Sequence, residues 1–202
     1  MSIARMILYF DYRSFLIKIT PVLKTLSAGN SNELLKLAKK IEVDNSNVWK
    51  ILNFYGISRK KDSFQITNYD GIDDRSVFWL VLVMSDYCLI IDNPLDTGSI
   101  GDILNLIGIE EEFQLMLAIG RPFSTIFSTH EQIMSNISLD YTIASALNHY
   151  PAGWLSIEDI KAIKAKLSMH QDRITHPALV RFEAMLDTAI QSERGLILGV
   201  AI

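Results

Sequence analysis

Only one cysteine, Cys88, occurs in 202 residues, which excludes a disulfide framework and suits a reducing, cytoplasmic compartment. Metal-binding side chains are scarce as well. The four histidines, His130, His149, His170 and His176, form no H-E-x-x-H or H-x-x-x-H pair. No apolar run reaches the roughly 20 residues that a bilayer-spanning helix needs. The short patch Met6–Phe10 is followed at once by Asp11, so no secretion signal is expected, and the sequon Asn136-Ile137-Ser138 then carries no weight. Positive charge is also thin: the formal net charge is −4, and the densest basic cluster, Arg59-Lys60-Lys61, reads as a solvated loop. Nucleic-acid binding rests on neutralising phosphates with Lys and Arg, so neither a nucleic acid nor a membrane is an expected partner.

What is present is the material of an ordinary globular protein, with 49% hydrophobic and 21% charged residues. The length fits one globular domain over 1–202, and no repeat, low-complexity tract or linker divides it. The densest apolar stretch is Ser76–Ile91 (SVFWLVLVMSDYCLII), broken only by Ser85 and Asp86. Read as a helix, it puts Val77, Leu80, Val81, Met84, Cys88 and Ile91 on one face and apolar residues on most others, so it is expected to be buried. A hairpin of Val77–Met84 and Tyr87–Ile91 is the alternative, although Ser85-Asp86 lacks the positive-φ residues of a tight turn. Cys88, flanked by Tyr87 and Leu89, reads as a small buried hydrophobe, since no cation stands near it to favour the thiolate.

The remaining segments follow the helical period. Arg5–Phe10 has strand composition. Asp11 can cap a helix with Phe15, Leu16, Ile19, Val22, Leu23 and Leu26 inward; Pro21 inside it predicts a kink or a restart, and Gly29-Asn30 a stop. Ser31 caps a helix with Leu34, Leu37, Ala38 and Ile41 inward and Lys36, Lys39 and Lys40 outward. A short helix with Val48, Ile51, Leu52 and Tyr55 ends at Gly56. Ile57–Ile72 reads as a long loop suited to function. Short helices are expected at Ile100–Ile107 and Glu110–Ile119, closed by Gly108 and Gly120, and another at Asp140–His149, stopped before Pro151. Ser156 and Asp159 make a capping box for a helix with Ile160, Ile163 and Leu167 inward. Pro177 is placed to open the last helix, carrying Leu179, Phe182, Met185, Leu186, Ala189 and Ile190, with Gly195 as its end. Leu196–Ile202 again has strand composition. The fold class is therefore mainly α (α+β): a single-domain helical bundle with a small terminal β-ribbon formed by the N- and C-terminal segments. Such a ribbon is marginal unless something covers it.

Motifs with chemistry are few. Asp96-Thr97-Gly98-Ser99 has the aspartic-protease pattern, echoed by Ile197-Leu198-Gly199, but that chemistry needs two aspartates on an all-β scaffold. A turn in which Ser99 caps the next helix explains it better. Gly98-Ser99-Ile100-Gly101 is too short for a phosphate loop. His170, Asp172 and His176 lie between two helices, where solvated histidines are commoner than a metal site. Asp140 and His149 fall on opposite helix faces, about 180° apart by the helical period, which rules them out as an acid/base pair. Arg121, after Gly120, either presents its guanidinium to an anion or serves as a helix C-terminal charge partner. No cofactor or metal is called for, and no catalytic set assembles.

Three segments carry a resemblance: Gly120-Arg121-Pro122-Phe123, then Gly153-Trp154-Leu155-Ser156-Ile157-Glu158-Asp159, then a helix ending Glu193-Arg194-Gly195-Leu196-Ile197-Leu198. In that order they are similar to bacterial YfbM-like families of unknown function, over about the C-terminal 90 residues of this chain. The resemblance implies no activity; by analogy with other small acidic bacterial proteins, it suggests an immunity or regulatory role. Two functions follow as expectations. The first is a cytoplasmic protein-binding domain that meets a basic partner through Asp73, Asp74, Glu110, Glu111 and Glu112. The alternative is a small enzyme or ligand-binding accessory with Arg121, Tyr141, His149, His170 and His176 around a pocket in the helical bundle. An open sheet edge also leaves room for self-assembly.

Overall fold

The computed structural model describes residues 5–44, 47–48, 74–91, 120–121, 149–170 and 176–201. They form five helices and four strands: β1 (Arg5–Phe10), α1 (Tyr12–Ser27), α2 (Asn32–Asp44), α3 (Asp74–Asp86), β2 (Cys88–Ile90), β3 (His149–Leu155), α4 (Ile157–Ser168), α5 (Pro177–Gln191) and β4 (Gly195–Ala201). The protein is mainly helical with a small sheet, as expected. Asn47 and Val48 are helical and Val48 is buried, while the rest of that expected helix, the Ile57–Ile72 loop, the Asp96–Ser99 motif and the helices expected at 100–119 lie outside the described residues. The chain divides into two compact units, and each has its own core.

The first unit holds β1, Leu89–Ile91, Gly120-Arg121, the residues from Pro151 through α4, and α5 with β4. Its sheet has the order β2-β1-β4-β3. The two ends of the chain do pair: β1 and β4 run antiparallel from Arg5↔Val200 to Phe10↔Gly195. In this register Ile7 faces Leu198, and both join Leu196 in a core with Leu155, Ile160, Ile163 and Leu167 and the inward face of α5. Leu8 and its partner Ile197 point to the other face with Phe10, and all three are buried as well. Burial on both faces explains why RMILYF and LILGVA read as unbroken apolar runs instead of alternating ones.

Two further strands flank this pair, so the ribbon is not isolated. β3 was not expected at all: the helix expected over Asp140–His149 was to include His149, whereas His149, Tyr150 and Pro151 are extended. A proline and a glycine inside HYPAGWL argue against a central strand, yet β3 is an edge strand, where a missing N–H is tolerated. The outer edge of β3 is in turn covered at one point, since Arg121 and Trp154 exchange backbone hydrogen bonds of 2.8 and 3.0 Å. α4 starts with the full capping box. Ser156 Oγ accepts from Asp159 N, and Asp159 Oδ2 accepts from Ser156 N. Pro177 opens α5, behind His176 at the N-cap. That helix stops at Gln191, with Glu193 at φ 52, and Gly195 opens β4 instead of closing the helix.

The second unit contains α1, α2, α3 and Cys88. Tyr12, Phe15, Ile19, Val22, Leu23 and Leu26 recur every three or four positions along α1 and are buried; Leu16 is only half-buried. The helix does not restart at Pro21, since α1 is continuous from Tyr12 to Ser27. The proline removes the donor to the Ile17 carbonyl on an exposed side of the helix, where water can replace it. Gly29, at φ 78, ends α1 in a Schellman motif, with Gly29 N donating to Leu26 O and Asn30 N to Thr25 O, both at 2.9 Å. Ser31 supplies the first carbonyl of α2, but the side chain that caps it is that of Asn30, whose Oδ1 accepts from Asn32 N at 3.0 Å.

Ser76–Ile91 is neither one helix nor a hairpin. α3 covers Asp74–Asp86 and is buried around most of its circumference (Leu80, Leu82, Val83, Met84, Ser85). Ser85-Asp86 is its last turn; Tyr87 follows, and Cys88–Ile90 is a strand at the edge of the sheet with Leu89 and Ile90 each 41% exposed. Backbone pairing offered by the sheet edge outweighs the helical period over those last residues.

The two left-handed glycines separate a conformational cost from a steric one. Around Gly29 a β-carbon would meet nothing within 4 Å, whereas at Gly120 (φ 74) it would lie 2.8 Å from Trp154 N and 2.9 Å from Trp154 O. We expect Gly29→Ala to lower unfolding free energy by about 1–2 kcal/mol, the left-handed cost alone. Gly120→Ala should cost clearly more, because backbone must move. Urea denaturation of the two variants measures the gap; equal losses would contradict the placement of Gly120 against β3.

Candidate functional site

The five residues expected around a pocket are Arg121, Tyr141, His149, His170 and His176. Tyr141 lies outside the described residues. His149 is the first residue of β3, His170 follows the end of α4, and His176 caps α5 by accepting from Ala178 N at its Nδ1, 3.2 Å away. Among the described residues no three His, Cys, Asp or Glu side chains are placed to share a metal ion. Of the acidic set, Asp73, Glu110, Glu111 and Glu112 are outside the described residues, and Asp74 begins α3.

Arg121, expected either to meet an anion or to serve a helix C-terminus, holds a carboxylate of its own chain. Its Nε and Nη2 donate to Asp159 Oδ1 at 3.0 and 2.6 Å. Asp159 is 5% exposed, and its other oxygen is taken by the capping box. The carboxylate thus ties the start of α4 to the residue that also bridges β3. Arg121 itself stays 54% exposed, so water softens the pair. Removing it leaves a buried carboxylate one partner short. Arg121→Ala should cost about 1–3 kcal/mol, against about 1 kcal/mol for the cap in Ser156→Ala. Thermal unfolding that ranks the two the other way would contradict this division of labour.

Cys88 is buried, and its thiol donates to the Met84 carbonyl at 3.4 Å. Burial first, and the charge of Asp86 second, push the thiol far above its ordinary value. It cannot serve as a nucleophile in that state. Native protein should react with a thiol reagent only as fast as it unfolds. Stability should also fall as the pH rises past the ordinary value of 9.0, because the unfolded chain ionises there and the folded one does not. Cys88→Ala should flatten that fall; rapid labelling at neutral pH would show the thiol to be accessible.

The feature that remains is a groove in the second unit. Its walls are two helix stripes of identical spacing: Ser14, Ile17, Lys18, Pro21 and Val22 on α1, and Glu33, Lys36, Leu37, Lys40 and Ile41 on α2. Each stripe follows i, i+3, i+4, i+7, i+8, the set that shares one helix face. One end of the groove encloses about 640 Å³. It continues past Lys18, Leu37, Lys40 and Tyr87 into about 240 Å³ closed by Val83 and Asp86. α2 packs mainly on α3 and only lightly on α1, which leaves the two walls apart. Tyr87 is held from beneath by an edge-on contact with Phe15, ring centroids 5.9 Å apart. Ile17, on the rim, is 79% exposed.

Sequence periodicity had placed the lysines of α2 outward, and Lys36 and Lys40 are exposed. It did not show that they face Lys18 across a groove. The available signal was Ile17 itself, an isoleucine off the buried stripe of α1. Comparison of the chain with family models, with curated proteins and with solved structures gave no match.

Proposed function

We propose that this chain is a protein-binding domain and that the α1–α2 groove is its docking surface. The observation that carries the reading is the groove's form: an apolar strip of Ile17, Pro21, Leu37 and Ile41 between two helices, floored by the buried Val22, with Ile17 largely in water. Small-molecule sites enclose most of their ligand and aim a few fixed polar groups at it. Here the polar groups are the tips of long, exposed lysines on the rim, the arrangement of a groove that takes an amphipathic segment. A single buried thiol fits a cytoplasmic setting, and no helix among the described residues is long and apolar enough to cross a membrane. An immunity or regulatory role, suggested by analogy with other small acidic bacterial proteins, is one form such binding would take.

The test compares the wild-type chain with Ile17→Asp and with Met169→Asp, which alters an exposed apolar residue of α4 instead. Both substitutions are at exposed sites and should leave the thermal midpoint nearly unchanged. Proteins retained on immobilised wild type and on Met169→Asp, but lost from Ile17→Asp, support the groove. Retention of the same proteins by all three would sink it.

A further inference from the structure

Resting on that reading, we infer that the segment the groove takes is an acidic amphipathic helix of a partner protein. Three lysines, Lys18, Lys36 and Lys40, stand on the rim of the wide end, against one carboxylate, Glu33. Glu33 is already bound to Lys36 at 2.6 Å. This surface is therefore locally cationic on a chain whose net charge is −4. At contact, charge complementarity on this rim selects carboxylates, whereas the net charge of the whole chain attracts basic partners only at longer range.

The dimensions select a helix. Eight residues separate Ser14 from Val22, and eight separate Glu33 from Ile41, so each wall is roughly 12 Å long at the helical rise. That length holds about two helical turns, enough for apolar anchors at i, i+3 or i+4, and i+7. The anchors meet Ile17, Val22, Leu37 and Ile41. Carboxylates on the flanks of the same helix meet Lys18 and Lys40 on opposite walls. Lys18 and Lys40 line both ends of the groove, and Asp86 closes the narrow one, so the partner's carboxylates reach these lysines from the wide side.

The probes are three fluorescent peptides, each of roughly five helical turns with a leucine stripe at helical spacing. One carries glutamates on its polar face, one lysines in their place, and one glutamates with the leucines changed to alanine. Anisotropy titrations against the full chain should show the glutamate–leucine peptide binding most tightly, with affinity falling as salt is raised. The double variant Lys18→Glu/Lys40→Glu should weaken it by about tenfold and strengthen the lysine peptide. Equal binding of the lysine and glutamate peptides, or no binding of any, overturns the inference. If the Ile17→Asp capture experiment succeeds while these titrations fail, the groove binds proteins but not acidic helices. If both fail, the functional reading falls with it.

Discussion

Antiparallel pairing of β1 with β4 is the constraint on which the first unit depends. It joins residue 5 to residue 200 and so closes nearly the whole chain into one loop. Loop closure of that length costs entropy that grows only slowly with length, but it must be recovered locally. The recovery comes from two buried faces, since Ile7, Leu196 and Leu198 meet the helices on one side while Leu8, Phe10 and Ile197 are buried on the other. A slip of one residue would exchange these two sets. Because both sets are apolar and buried, polarity alone does not fix the register.

The Arg121–Asp159 pair extends that constraint outward. β3 has an edge that includes a proline, and Arg121 closes it with backbone hydrogen bonds while its guanidinium fastens the N-terminus of α4. One carboxylate thus serves a cap, an ion pair and the alignment of a strand. The result is an arginine, read in sequence as a possible anion ligand, that holds a carboxylate of the fold itself. His176 is engaged in a similar way, its ring nitrogen occupied by capping α5.

How much of this was legible follows from where each signal resides. Helix identity and inward faces were readable in α1, α2, α4 and α5 because periodic burial leaves its mark within a dozen residues, and the Ser156–Asp159 box fixes a start by its own chemistry. Pairing of the two ends was readable because both were strand-like and little else was. β3 was not, since Pro151 and Gly153 are poor strand residues whose tolerance depends on an edge position that only the assembled sheet defines. β2 was hidden in the apolar run it shares with α3. The groove was the least legible of all. Lys18, Lys36 and Lys40 each look like ordinary solvated lysines, and only the packing of α2 against α3 turns two of them toward the third.

Charge on this molecule has to be read at two scales. The net value of −4 governs approach from a distance, where screening leaves little beyond a Debye length of about 8 Å at physiological salt. Contact is governed by what stands on the groove rim, and there the sign is reversed. An acidic chain with a cationic groove repels most acidic surfaces at long range and holds one only if it also brings apolar anchors for Ile17 and Leu37. Selectivity then arises from requiring both features at once, because neither the lysines nor the apolar strip would suffice alone. That combination is what a structural lysine stripe would not need, and it is why the proposed docking rests on the exposure of Ile17 more than on any charged residue.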